Sequence, residues 1–197
     1  MTDVDTAGLL VGPDGRSRCS WAGLAPEYLT YHDDEWGVPV HGESALYERI
    51  TLEAFQSGLA WITILRKRPA FRAAFAGFDP ERVAAFGDAD RARLMADAGI
   101  VRNARKVDAA IRNARAVLDL RDDGGLDAYM WSFAPDHHQP PRTPAELRAT
   151  STESVALAAG LKKRGFVFVG PTTAYAAMQA CGLVDDHLAG CFRAAQT

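Results

Sequence analysis

The chain carries cysteine and histidine residues towards both ends of its sequence. Cys19 and His32 lie in the N-terminal part, and His187 and Cys191 lie four residues apart in DDHLAGC (185–191). On a helix, a spacing of four places two side chains on one face. Two thiolates and two imidazoles complete the tetrahedral shell of a structural Zn²⁺ and leave no position open. We therefore expect one zinc ion that joins the N- and C-terminal segments to a single body.

The same residues also allow an interpretation without a metal. The spacing of Cys19 and His32 is not that of a zinc finger. His187 could cap the end of a helix, and Cys191 could be a small buried apolar residue. A zinc hydrolase is a poorer fit, since catalytic zinc needs an open coordination position and four protein ligands leave none.

The composition is ordinary for a globular protein, because 48% of the 197 residues are hydrophobic and 24% are charged. No apolar run reaches the length of a membrane-spanning helix, and no signal peptide is visible. Three cysteines, an odd number, argue against a disulfide framework. We expect a monomeric cytoplasmic protein without a membrane partner. Residues 1–17 are expected to be a disordered leader, and residues 18–197 a single domain of two closely packed helical lobes.

Helical signals dominate the chain. Residues 43–58 carry apolar side chains at helical spacing, and residues 102–120 repeat apolar positions every three or four residues. Proline, aspartate or threonine opens several further segments, at positions that suit the first turn of a helix. The strand-like run GFVFVG (165–170) has no obvious partner strand. The predicted fold class is all-α, with eight or more short helices.

The net charge of −3 does not by itself indicate a nucleic-acid-binding protein. Basic residues are nevertheless concentrated in three blocks, at 61–72, 91–115 and 160–184. These blocks could form one positive face, or they could be solvated helix surfaces, which most charge runs are. Charge alone leaves both interpretations open.

Several distinctive segments follow one another in a set order along the chain. They hold tryptophan, glycine and metal-type ligands at fixed places: RCSWAGLAPEYLTYHDDEWGVP, LEAFQSGLAWITILRKRPAFRAAF, DAGIVRNARKVDAAIRNA, WSF, LKKRGFVFVG and MQACGLVDDHLAGC. In these segments residues 18–192 resemble the DNA-3-methyladenine glycosylase I family. The resemblance implies a base-excision repair enzyme that removes 3-methyladenine from alkylated double-stranded DNA. It also implies an all-α helix-hairpin-helix glycosylase fold with one structural zinc, held by Cys19, His32, His187 and Cys191.

The segment DAGIVRNARK (97–106) is a candidate phosphate anchor within a hairpin motif near residues 88–118. One helix is expected to end at its glycine and a second to begin shortly afterwards, which presents backbone N–H groups to a phosphate. The predicted DNA-binding residues of this segment are Gly99, Ile100, Arg102, Arg105 and Lys106. The loop has one glycine where the common helix-hairpin-helix loop has two, so an ordinary helical hairpin is the alternative.

By resemblance, the base pocket comes from two stretches of the chain. Glu53 lies among apolar residues on a largely buried predicted helix, where a carboxylate is costly unless it is paired. A structural arginine partner is one explanation. The other is an acceptor that reads the base, which makes Glu53 the predicted catalytic residue. Tyr31 and Trp61 match aromatic pocket positions of the family, with Trp21 and Trp36 nearby in sequence. Aromatic faces and a carboxylate attract the cationic 3-methyladenine base.

The remaining predictions concern base flipping and the reaction. Leu59, in the turn SGLAW, is the candidate wedge that fills the gap left by a flipped base, with ordinary packing as the alternative. No lysine stands in an obvious nucleophile position, so we expect a monofunctional glycosylase without strand-cleaving lyase activity. A second hypothesis is a non-catalytic helix-hairpin-helix protein that binds damaged DNA and carries structural zinc. The presence of Glu53, Tyr31 and Trp61 together favours the enzyme, because a binding protein needs only the phosphate anchor.

Overall fold

The computed structural model describes residues 4–194, so residues 1–3 of the predicted leader and 195–197 of the predicted domain lie outside it. Nine α-helices occur in the described range: α1 (Pro26–Asp34), α2 (Glu43–Gln56), α3 (Trp61–Ala74), α4 (Pro80–Ala84), α5 (Asp88–Ala96), α6 (Ala104–Asp119), α7 (Gly125–Trp131), α8 (Thr152–Lys163) and α9 (Pro171–Ala180). The prediction of a protein built from eight or more short helices is confirmed. None of the described helices is long and apolar enough to cross a membrane.

Helix α2 lies at the centre of the fold. Its buried apolar side chains include Leu46, Ile50 and Phe55, which do not fall on one narrow stripe. Helices α3, α6, α7 and α9 pack around it. The Tyr47 hydroxyl donates a hydrogen bond to the carbonyl oxygen of Ala110 on α6 at 2.8 Å. Because neighbours cover α2 on several sides, its charged side chains also enter the protein interior.

Helices α5 and α6 form a helical hairpin joined by residues 97–103. Asn103 caps α6, because its side-chain oxygen accepts a hydrogen bond from a backbone N–H in the first turn at 3.3 Å. Val107, Ile111 and Ala114 are buried along one side of α6, at the spacing that predicted the helix. This stripe fixes which face of α6 turns towards the core and leaves the arginines on the outside.

A short antiparallel hairpin precedes the helices, formed by β1 (Leu9–Val11) and β2 (Ser17–Cys19). It differs from the disordered leader expected over residues 1–17. The hairpin packs against the other end of the chain: Leu10 is buried, and the backbone N–H of Phe192 donates a hydrogen bond to the first carbonyl of β2 at 2.8 Å. The sequence of residues 1–17 did not predict an ordered hairpin, because the residues that pack against it lie far away along the chain.

The strand-like run at 165–170 is a loop that follows α8. The buried side chain of Asn113 on α6 forms two hydrogen bonds with the backbone of this loop. The Asn113 side-chain oxygen accepts a hydrogen bond from the Val167 N–H at 2.8 Å, and its nitrogen donates to the Val167 carbonyl at 3.0 Å. Phe166 is buried in the core. A side-chain amide thus supplies the hydrogen bonds that a partner strand would otherwise provide.

Candidate functional site

A cavity of about 290 Å³ opens among helices α1, α2, α3 and α9. Its lining combines aromatic rings, one carboxyl group and two side-chain amides: Trp21, Leu24, Tyr28, Tyr31, Trp36, Glu53, Gln56, Trp61, Ala176 and Gln179. All five residues predicted for the catalytic and base-pocket positions are therefore brought together in one place. They come from stretches separated by up to forty residues, so only the packing of the helices assembles them.

Glu53 lies in the cavity wall without a counter-ion. Its side chain is 6% exposed, and no residue between 4 and 194 donates a hydrogen bond to it. Burial raises the pKa of Glu53 to about 8, and the charge of Arg49 opposes the shift only in part. Arg49 instead donates a hydrogen bond to Glu35 at 3.0 Å. The structural explanation offered by the sequence, a dedicated arginine partner for Glu53, is therefore wrong.

Aromatic rings form the other walls of the cavity. Trp21 and Trp36 meet edge to face, with ring centroids 5.1 Å apart, and Tyr31 lies 5.5 Å from Trp61. Burial raises the pKa of Tyr31, so its phenol stays protonated at neutral pH. The indole N–H of Trp61 is buried and has no acceptor in the described part of the chain. The cavity thus offers π faces, a buried carboxyl group and an unused donor.

Sequence reasoning missed some lining residues of this cavity. Tyr28 lies one turn before Tyr31 on α1, and its hydroxyl accepts a hydrogen bond from the backbone N–H of Ile62 at 3.0 Å. Helical spacing from Tyr31 was the signal that could have identified it. Gln179 lies on α9, which reads as an apolar core helix, so no comparable signal marked it.

Leu59 lies in the turn between α2 and α3, two residues before Trp61 of the cavity wall. Its side chain is 38% exposed. The Gln56 side chain donates a hydrogen bond to the Leu59 carbonyl oxygen at 3.0 Å, which ties the turn to the cavity wall. This exposure does not fit the alternative of ordinary core packing, and the role of Leu59 as a wedge stays a prediction.

Three of the four predicted metal ligands form a buried cluster behind the cavity. One ligand atom each from Cys19, His32 and Cys191 lies within 4.8 Å of the others. The fourth predicted ligand, His187, places its ring 4.9 Å from that of His32, centroid to centroid. The Nε2 atom of His187 is buried and has no hydrogen-bond partner in residues 4–194. A buried imidazole nitrogen without a hydrogen-bond partner is available to coordinate a metal ion.

The chemistry of this cluster fits a thiolate-binding cation. His32 and His187 each place Nδ1 near a carboxylate, 2.8 Å from Asp33 and 2.7 Å from Asp185. Such contacts fix the ring orientation and leave Nε2 available to a metal. The neighbouring Cys19 thiol and, after it, His32 lower the pKa of Cys191, which favours the thiolate form that a metal needs.

Two tryptophans of the cavity wall also contact histidines of the candidate metal site. Trp21 lies 5.1 Å from the His32 ring and Trp36 lies 4.6 Å from the His187 ring, both edge to face. Each indole also lines the cavity. The histidines therefore support the aromatic wall from behind.

The loop of the α5–α6 hairpin contains the predicted phosphate anchor. Arg102 and Arg105 are exposed and form no ion pair or side-chain hydrogen bond with the described residues. Lys67 on α3 donates hydrogen bonds to the carbonyl oxygens of Ala98 and Gly99, at 2.8 and 3.2 Å, and so holds the loop in place. Two unpaired arginines beside the N-terminus of α6 make an electropositive site open to an anion.

Two predicted DNA-binding residues do not face solvent. Ile100 is 2% exposed and packs in the core. Lys106 is 7% exposed, and its ammonium group donates hydrogen bonds to the carbonyl oxygens of Phe55 and Ser57, at 2.8 and 2.7 Å. Lys106 therefore closes the C-terminus of α2 and is not a free phosphate contact. The sequence shows a lysine beside two arginines but cannot show that the helix turns this side chain inward.

The basic block at 61–72 is also largely neutralised. Arg66, Arg68 and Arg72 each lie against a glutamate, and the block's lysine holds the hairpin loop. The block at 61–72 therefore agrees with the interpretation as an ordinary helix surface and not with a free positive face.

The family model described as methyladenine glycosylase matches residues 21–194. The chain belongs to this family. It is 49% identical to DNA-3-methyladenine glycosylase 1 of Escherichia coli (strain K12) over 179 residues, covering 88% of this chain and 95% of the relative. It is 43% identical to DNA-3-methyladenine glycosylase of Haemophilus influenzae over 180 residues, covering 89% of this chain and 96% of that protein.

Solved structures of the methyladenine glycosylase family have the same fold. A crystal structure of 3-methyladenine DNA glycosylase I superposes with a TM-score of 0.86 at 45% identity, covering 90% of this chain and 100% of the other. The Staphylococcus aureus enzyme, solved to explain 3-methyladenine recognition, gives a TM-score of 0.86 at 32% identity, covering 91% and 97%. The family resemblance predicted from the sequence segments is confirmed.

Proposed function

We propose that this protein is a DNA-3-methyladenine glycosylase, a hydrolase that cleaves the N-glycosidic bond of 3-methyladenine in alkylated double-stranded DNA. The observation that carries the proposal is the buried, unpaired Glu53 inside an aromatic cavity. A carboxyl group there lacks the positive charge that would stabilise its ionised form. A base made cationic by methylation supplies that charge, and the surrounding indole and phenol rings attract it further. The names of the curated relatives support the same substrate.

Cationic 3-methyladenine is already a good leaving group. The bond between the sugar C1′ and the base N9 breaks, and its electron pair neutralises the departing base. Water forms the new bond to C1′ and releases one proton to the solvent. The protein then has to hold and orient the extruded base rather than supply a strong acid. Glu53 and Tyr31 bind the base in this proposal, while Trp61, Trp21 and Trp36 form the aromatic walls.

We further propose that the α5–α6 hairpin is a helix-hairpin-helix DNA contact. Arg102, Arg105 and the backbone around Gly99 bind a phosphate, and Leu59 fills the gap in the base stack. Lys106 and the buried Ile100 shape the hairpin from inside. Because Lys106 is committed to the end of α2, it offers no free amine to attack the sugar, which agrees with a monofunctional enzyme.

A single structural Zn²⁺ is the proposed occupant of the cluster formed by Cys19, His32, His187 and Cys191. The unpartnered Nε2 of His187 supports it as the fourth ligand. With four protein ligands the ion would have no open position, so it would hold the two ends of the chain together and take no part in the hydrolysis. The monomeric state, the cytoplasmic location and the two-lobed single domain over residues 18–197 remain predictions.

The test is the release of free 3-methyladenine from methylated duplex DNA, measured for the wild type, Glu53→Gln and a matched control. Glu48→Gln is that control, because Glu48 lies on the same helix, is also buried, and pairs with Arg72 at 2.9 Å away from the cavity. We expect release by the wild type and Glu48→Gln, and a loss of roughly a hundredfold in Glu53→Gln. Zinc-loaded wild type that binds damaged DNA but releases no base would instead establish the non-catalytic binding protein.

A further inference from the structure

A buried carboxylate beside the cavity collects three hydrogen-bond donors. Asp186 is 4% exposed. Its Oδ2 accepts hydrogen bonds from the Tyr175 hydroxyl at 2.8 Å and the Gln179 side-chain nitrogen at 2.6 Å. Its Oδ1 lies 2.9 Å from His138 Nε2. Asp186 lies outside the cavity lining, whereas Gln179 forms part of it.

This contact fixes which way the Gln179 amide points. A carboxylate that receives three donors only accepts hydrogen bonds, so the amide nitrogen, and not the oxygen, must face Asp186. The amide oxygen Oε1 is then directed away from Asp186, and no described residue donates a hydrogen bond to it. Tyr175 and Gln179 lie one turn apart on α9, which positions both donors on one face. Because Gln179 is part of the cavity lining, its side chain brings an oriented, unused acceptor to the cavity wall in addition to Glu53.

We propose that Gln179 determines base specificity by accepting a hydrogen bond from the exocyclic amino group of the bound adenine, and that Asp186 is the residue that positions it. This inference rests on the proposed function. Adenine presents an amino donor at its six-position, whereas guanine presents a carbonyl acceptor there. An amide oxygen held towards the base therefore favours alkylated adenine and repels alkylated guanine. Without Asp186, the amide could turn over and offer its nitrogen, which would remove the distinction.

A purely structural role for Gln179, as a donor that satisfies Asp186, makes a different prediction. Loss of such a donor would disturb the cavity in general and weaken all bases alike. Tyr175→Phe provides the matched control, since it removes another donor to the same oxygen without changing a cavity residue. The ratio of the affinities for 3-methyladenine and 3-methylguanine therefore distinguishes the two roles, because a general loss of stability does not change this ratio.

The experiment measures the dissociation constants of free 3-methyladenine and free 3-methylguanine by quenching of tryptophan fluorescence. Trp21, Trp36 and Trp61 line the cavity and report on its occupancy. We expect the wild type and Tyr175→Phe to prefer 3-methyladenine. In Gln179→Met the preference should fall roughly tenfold, through weaker binding of 3-methyladenine. An unchanged preference in Gln179→Met, with the wild type active on methylated DNA, would overturn the inference alone.

Asp186→Asn supplies the second variant. We expect its preference for 3-methyladenine to fall as well, because the amide of Gln179 is no longer held in one orientation. Its zinc content is measured in parallel, since His187 is the next residue. An Asp186→Asn protein that keeps its zinc and keeps the full preference would overturn the positioning role. Wild-type protein that releases no 3-methyladenine from DNA would overturn the proposed function itself, and the inference with it.

Discussion

Arg49 and Glu53 lie one helical turn apart on α2, yet they do not pair. Arg49 donates its hydrogen bond to Glu35, which also accepts one from Arg68 at 2.6 Å. Glu35 thus draws away the cation that would most easily neutralise Glu53. The carboxyl group of the cavity is left without a partner because a second carboxylate holds the neighbouring arginine.

Glu35→Gln should restore a partner to Glu53. A neutral amide holds Arg49 less strongly, so the guanidinium can turn towards Glu53 and lower its pKa. A bound cationic base would then compete with an arginine, and 3-methyladenine release should fall by about tenfold. Side-chain carbon NMR gives the Glu53 pKa, and the release assay gives the activity. An unchanged Glu53 pKa in Glu35→Gln would show that Arg68 or packing, rather than Glu35, keeps Arg49 away.

Stability should depend on pH through Glu53. Burial raises its folded-state pKa to about 8, above the ordinary glutamate value of 4.5, so the folded protein holds a proton that the unfolded chain releases in this range. The contribution of Glu53 is therefore lost as pH rises from 4.5 towards 8. Glu53→Gln has no such loss. We expect the variant to match the wild type near pH 5 and to exceed it at pH 8 by a few kcal/mol, at ~1.4 kcal/mol per pKa unit.

Urea unfolding at the two pH values measures this difference. Zinc-ligand protonation affects both proteins equally and cancels in the comparison. Equal pH dependence in the two proteins would mean that Glu53 is ionised in the folded state.

Removal of the proposed Zn²⁺ should damage the cavity, because its role in the proposal is structural. The ring of His187 supports Trp36 at 4.6 Å, so loss of the ion frees one wall of the cavity. Cys191→Ala should therefore lower Tm by roughly 5 °C or more and weaken binding of free 3-methyladenine. Replacement of Zn²⁺ by Cd²⁺, which also accepts thiolates, should preserve activity within about twofold. A strong dependence of the hydrolysis rate on metal identity would contradict the structural role.

Arg102→Ala combined with Arg105→Ala should weaken binding to any DNA sequence. Each lost phosphate contact reduces the slope of log K against log salt by about one, so the double variant should lose about two. Arg66→Ala is the matched control, because Arg66 is also exposed on the surface but pairs with Glu27 at 2.8 Å. Fluorescence anisotropy over a salt series measures both. A wild-type slope in the double variant would place the phosphate anchor elsewhere.

Lys106→Met should lower stability and leave the salt slope unchanged. Its ammonium group satisfies two carbonyl oxygens at the end of α2, those of Phe55 and Ser57. Without it, the buried carbonyl of Phe55 and the partly buried carbonyl of Ser57 lose their charged donor, at a cost of about 2 kcal/mol. Urea unfolding measures the loss. A shallower salt slope with normal stability would show that Lys106 contacts a DNA phosphate.

Local patterns predicted the helices well, because caps and apolar spacing are properties of neighbouring residues. Val107 and Ile111 marked the buried face of α6 directly. The family segments likewise singled out Glu53 and Trp61, which the fold places in one cavity. The same patterns failed for GFVFVG, where a run of apolar, β-prone residues suggests a strand, whereas the segment is a loop hydrogen-bonded to Asn113.

The helical class, the ligand types near the two ends and the residue types of the cavity could all be predicted from the order of residues along the chain. Which charged side chains are free depends on how the helices pack. Arg49 is taken by Glu35 and Lys106 by backbone carbonyls, whereas Arg102 stays exposed. Pairing depends on which helices lie side by side, and that is set by packing between segments far apart in the chain. A charged residue in the sequence is therefore a candidate for a DNA or base contact, and the residue it pairs with in the folded protein determines its role.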